Sequence, residues 1–248
     1  MKITYQNKLV AFIDILGFKN IIYASDTKPI TKYFDFVFST FNRVSKKRGF
    51  NYHLISDSIV VSTSLSKENL ILLTRTLCVL QSRLLAEGIL VRGSISYGQL
   101  YLNKSKNIIV GNGLINAYNL EQQAIYPRII IDKTLIKMYY EGTVAAITEL
   151  KWVLFESPLS FKSDFIYLNY CRSFSLSNQN PHFKTVLQLF KDNYYKNVNI
   201  DKYEWLKTHI SISIKEQLEY LNIQIDKTPK ERYKMRVLQR FLSEFDKL

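Results

Sequence analysis

One acid inside an apolar strand constrains this chain more than any other feature. The segment Leu9-Val10-Ala11-Phe12-Ile13-Asp14-Ile15-Leu16-Gly17-Phe18 suits the centre of a sheet except at Asp14. A carboxylate buried in a strand costs several kcal/mol unless it is paired or binds a metal. A second segment, His53-Leu54-Ile55-Ser56-Asp57-Ser58-Ile59-Val60-Val61, repeats the pattern of an acid with apolar residues on both sides. Two uses fit such a pair. Asp14 and Asp57 either share a divalent cation or are hydrogen-bonded acids at the rim of a sheet.

The periodicity of the rest places these acids in a fold. Residues 8–16 read as a strand, with Gly17-Phe18 turning the chain into an amphipathic stretch that ends near Pro29. Ile30 to Lys46 carries Phe34, Val37, Phe38 and Phe41 at helical spacing. Residues 51–63 form two short strands if Ser56-Asp57 is a turn; that hairpin would bring Asp57 to a tip where it can meet Asp14. A helix is expected over 67–87, with Leu70, Leu73, Leu77, Leu80 and Leu84 on one face and Gly88 closing it. A strand follows at 89–97, then a hairpin of 99–101 with 108–110, a helix over 114–123 and a strand at 128–132. The order βααββαββαβ points to an α/β (α+β) fold: a mixed, mainly antiparallel sheet flanked by helices. Beyond about residue 150, Trp152, Phe155, Phe161, Phe165, Tyr167 and Tyr170 mark short or irregular elements. Helices are expected over 181–196, 203–223 and 230–245. A core over 1–150 and a mostly helical extension over 151–248, packed on the core or on a dimer partner, is the expected organisation.

Composition excludes several classes. No apolar run reaches the roughly 18 residues of a membrane span, and the N-terminus lacks a signal-peptide core, so a cytoplasmic protein without direct membrane insertion is expected. Cys78 and Cys171 form no C-x-x-C motif and sit in apolar surroundings, as buried thiols do. His53, His182 and His209 lack the spacing of zinc ligands. The net charge of +13 implies anionic partners, but most lysines are scattered; basic clusters occur at Lys46-Lys47-Arg48 and, interspersed with acids, from Lys227 to Arg240, and no zinc finger or RNA-recognition motif accompanies them. A Lys-rich solvated surface is the first reading, with attraction of a polyphosphate substrate and nucleic-acid binding as alternatives; no stable nucleic-acid partner is expected.

The order of motifs resembles the class III nucleotidyl cyclases. In that family a first strand of the form F-x-D-I-x-G-F supplies one metal aspartate and a hairpin ending in G-D-S or similar supplies the second. A strand like v-R-x-g-i-x-x-G is matched by Arg92 to Gly98, and a helix entry like G-x-x-v-N-x-A-x-R-L by Gly111 to Glu121. The resemblance covers roughly residues 8–132. It implies that Asp14 and Asp57 bind two Mg²⁺ or Mn²⁺ ions per site with the Ile15 carbonyl as a further ligand. The turn Ile15-Leu16-Gly17-Phe18 would hold the β- and γ-phosphates. It also implies a homodimer with sites at the subunit interface. The departures matter as much. The family's asparagine and arginine on the late helix align with Ile115 and Asn119; Asn116 is one residue off, and Arg92 or Arg128 could supply the missing cation. The base-selecting lysine of adenylate cyclases is His53 here, beside Tyr52.

A subfamily with these departures is the pyrimidine cyclases of Pycsar anti-phage defence. This chain is similar to them in A-Y-x-L-E (Ala117 to Glu121), A-x-Y-P-R-I (Ala124 to Ile129) and K-Y-x-W-L (Lys202 to Leu206). That resemblance implies conversion of UTP, or alternatively CTP, to the 3′,5′-cyclic monophosphate, with the product read by a separate effector. Asp14, Asp57, Arg92, Asn116, Asn119 and Arg128 are the catalytic candidates; Tyr52 and His53 are the candidates for the base. A catalytically inactive cyclase-like nucleotide sensor is the competing expectation.

Overall fold

The computed structural model describes residues 3–23, 27–142, 145–146, 154–156, 165–171, 180–193 and 200–248. Its first half alternates β1 (Gln6–Ile15), α1 (Phe18–Tyr23), α2 (Lys28–Arg48), β2 (Asn51–Ile55), β3 (Ser58–Ser64), α3 (Lys67–Ala86), β4 (Val91–Asn103) and β5 (Ile108–Val110). Then come α4 (Asn112–Glu121), β6 (Ile129–Ile131), α5 (Lys133–Tyr139), β7 (Leu154–Glu156) and β8 (Ile166–Leu168). The C-terminal part is helical: α6 (Asn180–Asn193), α7 (Ile200–Ile223) and α8 (Pro229–Phe245). Among the described residues the sheet order is β2-β3-β1-β4-β6-β8-β7, with β5 paired to β4. All pairs are antiparallel except β4 with β6. The expected mixed, mainly antiparallel sheet flanked by helices is what the chain adopts. Its first four strands and the helices α2 and α3 form a β-α-β-β-α-β unit.

Strand alternation gives the sheet two faces. Leu9, Ala11, Ile13 and Ile15 of β1 enter the large core with the buried face of α3, where Leu70, Leu73, Leu77, Leu80 and Leu84 are almost fully removed from water. Each such leucine contributes about 1.5–3 kcal/mol. Ser66 caps α3, its side chain accepting the Asn69 amide. The opposite residues Val10 and Phe12 join Val60, Leu100 and Ala117 in a second cluster beneath α4. Asp14 shares that parity and so faces the α4 side of the sheet.

How α4 sits is fixed by a backbone-to-backbone approach. A Cβ on Gly98 would lie 2.8 Å from Gly113 Cα, and the Gln99 amide donates to Asn112 Oδ1 at 2.7 Å. The Gly-Asn-Gly stretch thus lays the helix start directly against β4. Strand β4 is longer than its apolar run suggested, because Tyr101 to Asn103 continue it into the β5 hairpin. Helix α5 had no expectation; its sequence signal is Asp132, which accepts the Thr134 amide at 2.8 Å as an N-cap.

The large core continues into the C-terminal helices, taking in Trp205, Leu206, Ile210, Ile214, Leu238, Phe241 and Phe245. Trp205 stacks on Tyr126 with centroids 5.5 Å apart, which is packing of α7 on the segment before β6. Cys78 and Cys171 are buried and not joined in a disulfide. Trp152 and Phe161 lie outside the described residues. No helix among those described is long and apolar enough to cross a membrane.

Candidate active site

Asp14 is the penultimate residue of β1, at the end of the sheet, in register with Ser58 of β3 on one side and Arg92 of β4 on the other. That rung explains how an apolar strand tolerates an acid: the side chain is at the rim, with 21% of its area exposed. Ser58 Oγ donates to Asp14 Oδ1 at 3.5 Å, and Arg92 Nη2 lies 3.6 Å from Oδ2. Residues Ser56 and Asp57 form the expected tight turn between β2 and β3, with Ser56 at a φ of 57°. The turn places Asp57 beside Asp14. Tyr33, buried on α2, fixes it by donating its hydroxyl to the Asp57 carbonyl at 3.3 Å.

The electrostatics follow from this crowding. Burial, the charge of Asp57 and a hydrogen bond shared with Asp57 raise the Asp14 carboxyl above the ordinary range, against the opposing pull of Arg92 and Ser58. Burial and the same two acids push the Tyr33 hydroxyl well above its usual value. Two carboxylates within one hydrogen bond of each other repel when both are ionised, and a hard cation between them removes that cost. An all-oxygen donor set is the chemistry that Mg²⁺ or Mn²⁺ takes, with water and phosphate completing the shell. The two acids therefore fit the group that the sequence resemblance implies. Among the described residues no group of three or more His, Cys, Asp or Glu side chains is placed to hold a metal ion.

Arg92 is held from behind. Its Nε lies 2.6 Å from Glu121 Oε1, an ion pair whose N–H does not point along the line to the oxygen. Glu121, only 1% exposed, ends α4, where the helix dipole disfavours an acid. Burial raises its carboxyl, with Asp14 adding to the rise while Arg92 and Gln122 oppose it. The guanidinium thus bridges the buried Glu121 and the half-buried Asp14. Sequence reasoning quoted Glu121 and Ser58 within motifs but assigned them nothing, and it passed over Tyr33. For Glu121 the available signal was an acid in the last turn of an amphipathic helix.

The remaining candidates are dispersed. Asn116 and Asn119 lie on the exposed face of α4, the first donating its Nδ2 to the Tyr97 carbonyl at 3.1 Å, the second accepting from Gln123 at its carbonyl. Ile115 beside them is 59% exposed. In the turn, Gly17 has a φ of 76°, and the Leu16 amide is committed to Leu90 O at 2.9 Å, which leaves Gly17 and Phe18 as its other amide donors. Tyr52 points to the α2 side, against Phe41 and bonded to Asn42 Oδ1 at 2.8 Å. His53 faces the α4 side, and both it and Tyr52 line a cavity of about 290 Å³ at the sheet edge, with Phe38, Ile55, Asn107 and Ile109. His53 Nε2 is buried without a hydrogen-bond partner among the described residues. Arg128 is not brought to the acids. Its guanidinium is buried among the rings of Tyr126, Phe165, Tyr167 and Trp205, with centroids 5.3–5.7 Å away, and its Nε donates to Ala124 O.

No protein-family model matches this sequence, and no curated protein matches it. Solved structures with similarity to the chain include the monomeric guanylyl cyclase domain of the RhoGC fusion protein from the aquatic fungus Blastocladiella emersonii. That likeness has a TM-score of 0.44 at 15% identity and covers 68% of this chain and 97% of that one. The adenylyl cyclase CyaB from P. aeruginosa gives 0.44 at 15% identity over 68% and 95% of the two chains. A bacterial light-regulated adenylyl cyclase gives 0.49 at 15% identity, covering 77% of this chain and 58% of that one.

Proposed function

We propose that the chain is a nucleotide cyclase that converts a pyrimidine nucleoside triphosphate, UTP or alternatively CTP, to its 3′,5′-cyclic monophosphate and pyrophosphate. The observation that carries this is the meeting of Asp14 and Asp57 at one sheet end with Arg92 beside them. Asp14 and Asp57, with the Ile15 carbonyl, are the residues to hold two divalent cations. Such cations, when bound, supply positive charge to the phosphates and favour loss of the proton from the attacking 3′-hydroxyl. Gly17 and Phe18 offer backbone amides to the phosphates. Arg92, aimed by Glu121, places a fixed positive charge where negative charge grows during in-line displacement at the α-phosphate. Its position favours it over Arg128, whose charge is enclosed by aromatic rings. His53 and Tyr52 line the cavity assigned to the base.

The exposed apolar side chains Ile55, Ile115 and Tyr118, two of them on the outward face of α4, support a homodimer whose sites lie between subunits. The sequence resemblance supports a second-messenger role in bacterial anti-phage defence, with the product read by a separate effector. A second reading, an inactive nucleotide sensor on the same fold, is favoured by Ile115 and Asn119, which leave the outward face of α4 without an arginine. Incubating the protein with each of the four NTPs and Mn²⁺ and resolving products by mass separates the two. Cyclic UMP or cyclic CMP from the wild type and none from Asp57→Ala is the expected result. No cyclic nucleotide from any NTP, with nucleotide binding retained, would establish the sensor instead.

A further inference from the structure

The C-terminal helices set the basic stretch Lys227 to Arg240 against a second helix. A cleft of about 390 Å³ runs between α6 and α8, with Phe183, Lys184, Tyr233, Arg236, Arg240 and Phe241 among its walls. Its floor is apolar: Phe183, Leu187 and Val237 line it over Phe241, which is buried with its ring between Phe183 at 4.4 Å and Phe245 at 5.1 Å. Its lips carry three cations and one acid, with Lys184 on α6 facing Arg236 and Arg240 on α8 and Glu244 at one end. Helix α8 holds five cations and two acids in its 17 residues. Of those acids, Glu231 is committed to the capping box with Thr228, and Glu244 pairs with Arg240 at 3.1 Å. Lys184 and Arg236 have no carboxylate partner among the described residues. Like charges from two helices distant in sequence are thus opposed across one groove, and an isolated solvated helix face has no such groove and no apolar floor.

We propose that this cleft binds single-stranded nucleic acid, one nucleotide unit entering it with its base against Tyr233 and the open side of Phe183 and its phosphates on the cations of the lips. Arginines four apart stand about 6 Å apart along a helix, a spacing that a flexible strand can follow. Tyr233, 48% exposed at the lip, offers an open stacking face. A duplex, whose bases face one another, cannot use an apolar floor of this kind. In the sequence the basic stretch Lys227 to Arg240 left nucleic-acid binding a minor alternative; the packing of α6 against α8 sets Arg236 and Arg240 opposite Lys184 across one groove.

Fluorescence anisotropy of the full chain with end-labelled oligo(U) and oligo(dT) strands over a salt series tests this, the two arms separating RNA from DNA. For the wild type, log affinity falls linearly with log salt concentration. The triple variant K184Q/R236Q/R240Q is expected to bind at least tenfold more weakly at low salt, with a slope shallower by about 2, since each lost phosphate contact removes about 0.7. Tyr233→Ala is expected to weaken binding about tenfold with the slope unchanged. Because all four positions line an open surface cleft, each variant should keep the wild-type melting curve and its yield of cyclic nucleotide. Failure of the wild type to bind either strand at low salt would overturn the proposal. So would a triple variant that binds as the wild type does. Loss of polyglutamate or phosphatidylserine-vesicle binding in the triple variant, with strand binding intact, would also overturn it.

Discussion

Asp14 is tolerated because the strand that carries it ends one residue on, and its neighbours across the rung are Ser58 and Arg92. The energetics of that rung can be tested one side chain at a time. Arg92→Ala would leave Glu121 buried beside a helix C-terminus with no cation. Since Arg92 is 24% exposed, the cost falls somewhat below the range for a fully buried pair, at about 2–3 kcal/mol in urea unfolding. Replacing both partners, as R92L/E121L, should recover most of that loss while abolishing activity. The acid pair behaves in the opposite sense. The folded protein binds the Asp14 proton more tightly than the unfolded chain does, because its carboxyl is raised. Its contribution to stability is therefore greatest below the unfolded carboxylate range and is lost as pH rises through that range to the higher folded value. At neutral pH the ionised pair is destabilising, so Asp57→Asn should raise Tm by about 1–3 °C at pH 7.5, and by less at pH 4, in calorimetric scans. Both acids were legible in the sequence, since each interrupts an apolar run. The Arg92–Glu121 pair was not, because nothing local links a strand residue to one at the end of a later helix. Arg128 was misleading for the same reason: its aromatic enclosure is assembled from residues near 126, 165 and 205.

At the scale of elements, the alternation of apolar runs and helical stripes sufficed for β1 through β6. The hairpin turn at Ser56-Asp57 followed from wanting one acid near the other. What periodicity could not supply was the seating of α4, which depends on two backbones meeting at Gly98 and Gly113. Gly98→Ala puts a methyl group into that contact, and into the Asn112 side chain 2.6 Å from the ideal Cβ. A cost of about 2–3 kcal/mol in urea unfolding is expected, together with loss of cyclase activity as α4 and Glu121 shift. The short strands β7 and β8 fall where Phe155 and Tyr167 marked short or irregular elements, but their bounds and pairing were not legible, because no turn residues or alternating run delimit them as they do β5 and β6.

Across the whole molecule, one apolar core joins the sheet to the C-terminal helices, and α7 lies at the joint. His209 of α7 packs on Trp205, Tyr167 and Tyr170, and burial beside the Arg128 charge lowers its pKa from 6.5 to about 3. The unfolded chain takes up that proton near 6.5 while the folded one resists to about 3. Stability from this group is full above the unfolded value and is lost as pH falls through the window between them. Its slope is at most about 1.4 kcal/mol per pH unit. His209→Phe should flatten the fall in urea midpoint between pH 7 and pH 5. We propose by the same packing that residues 1–150 alone, lacking Tyr167 and Trp205, aggregate on expression. The central claim concerns the carboxylates at the sheet end. It is tested most directly by comparing the wild type with Asp57→Asn for cyclic nucleotide formed from UTP and from CTP with Mn²⁺. A folded, equally or more stable Asp57→Asn protein that makes no product is the result expected; a variant that retains wild-type turnover would contradict the account.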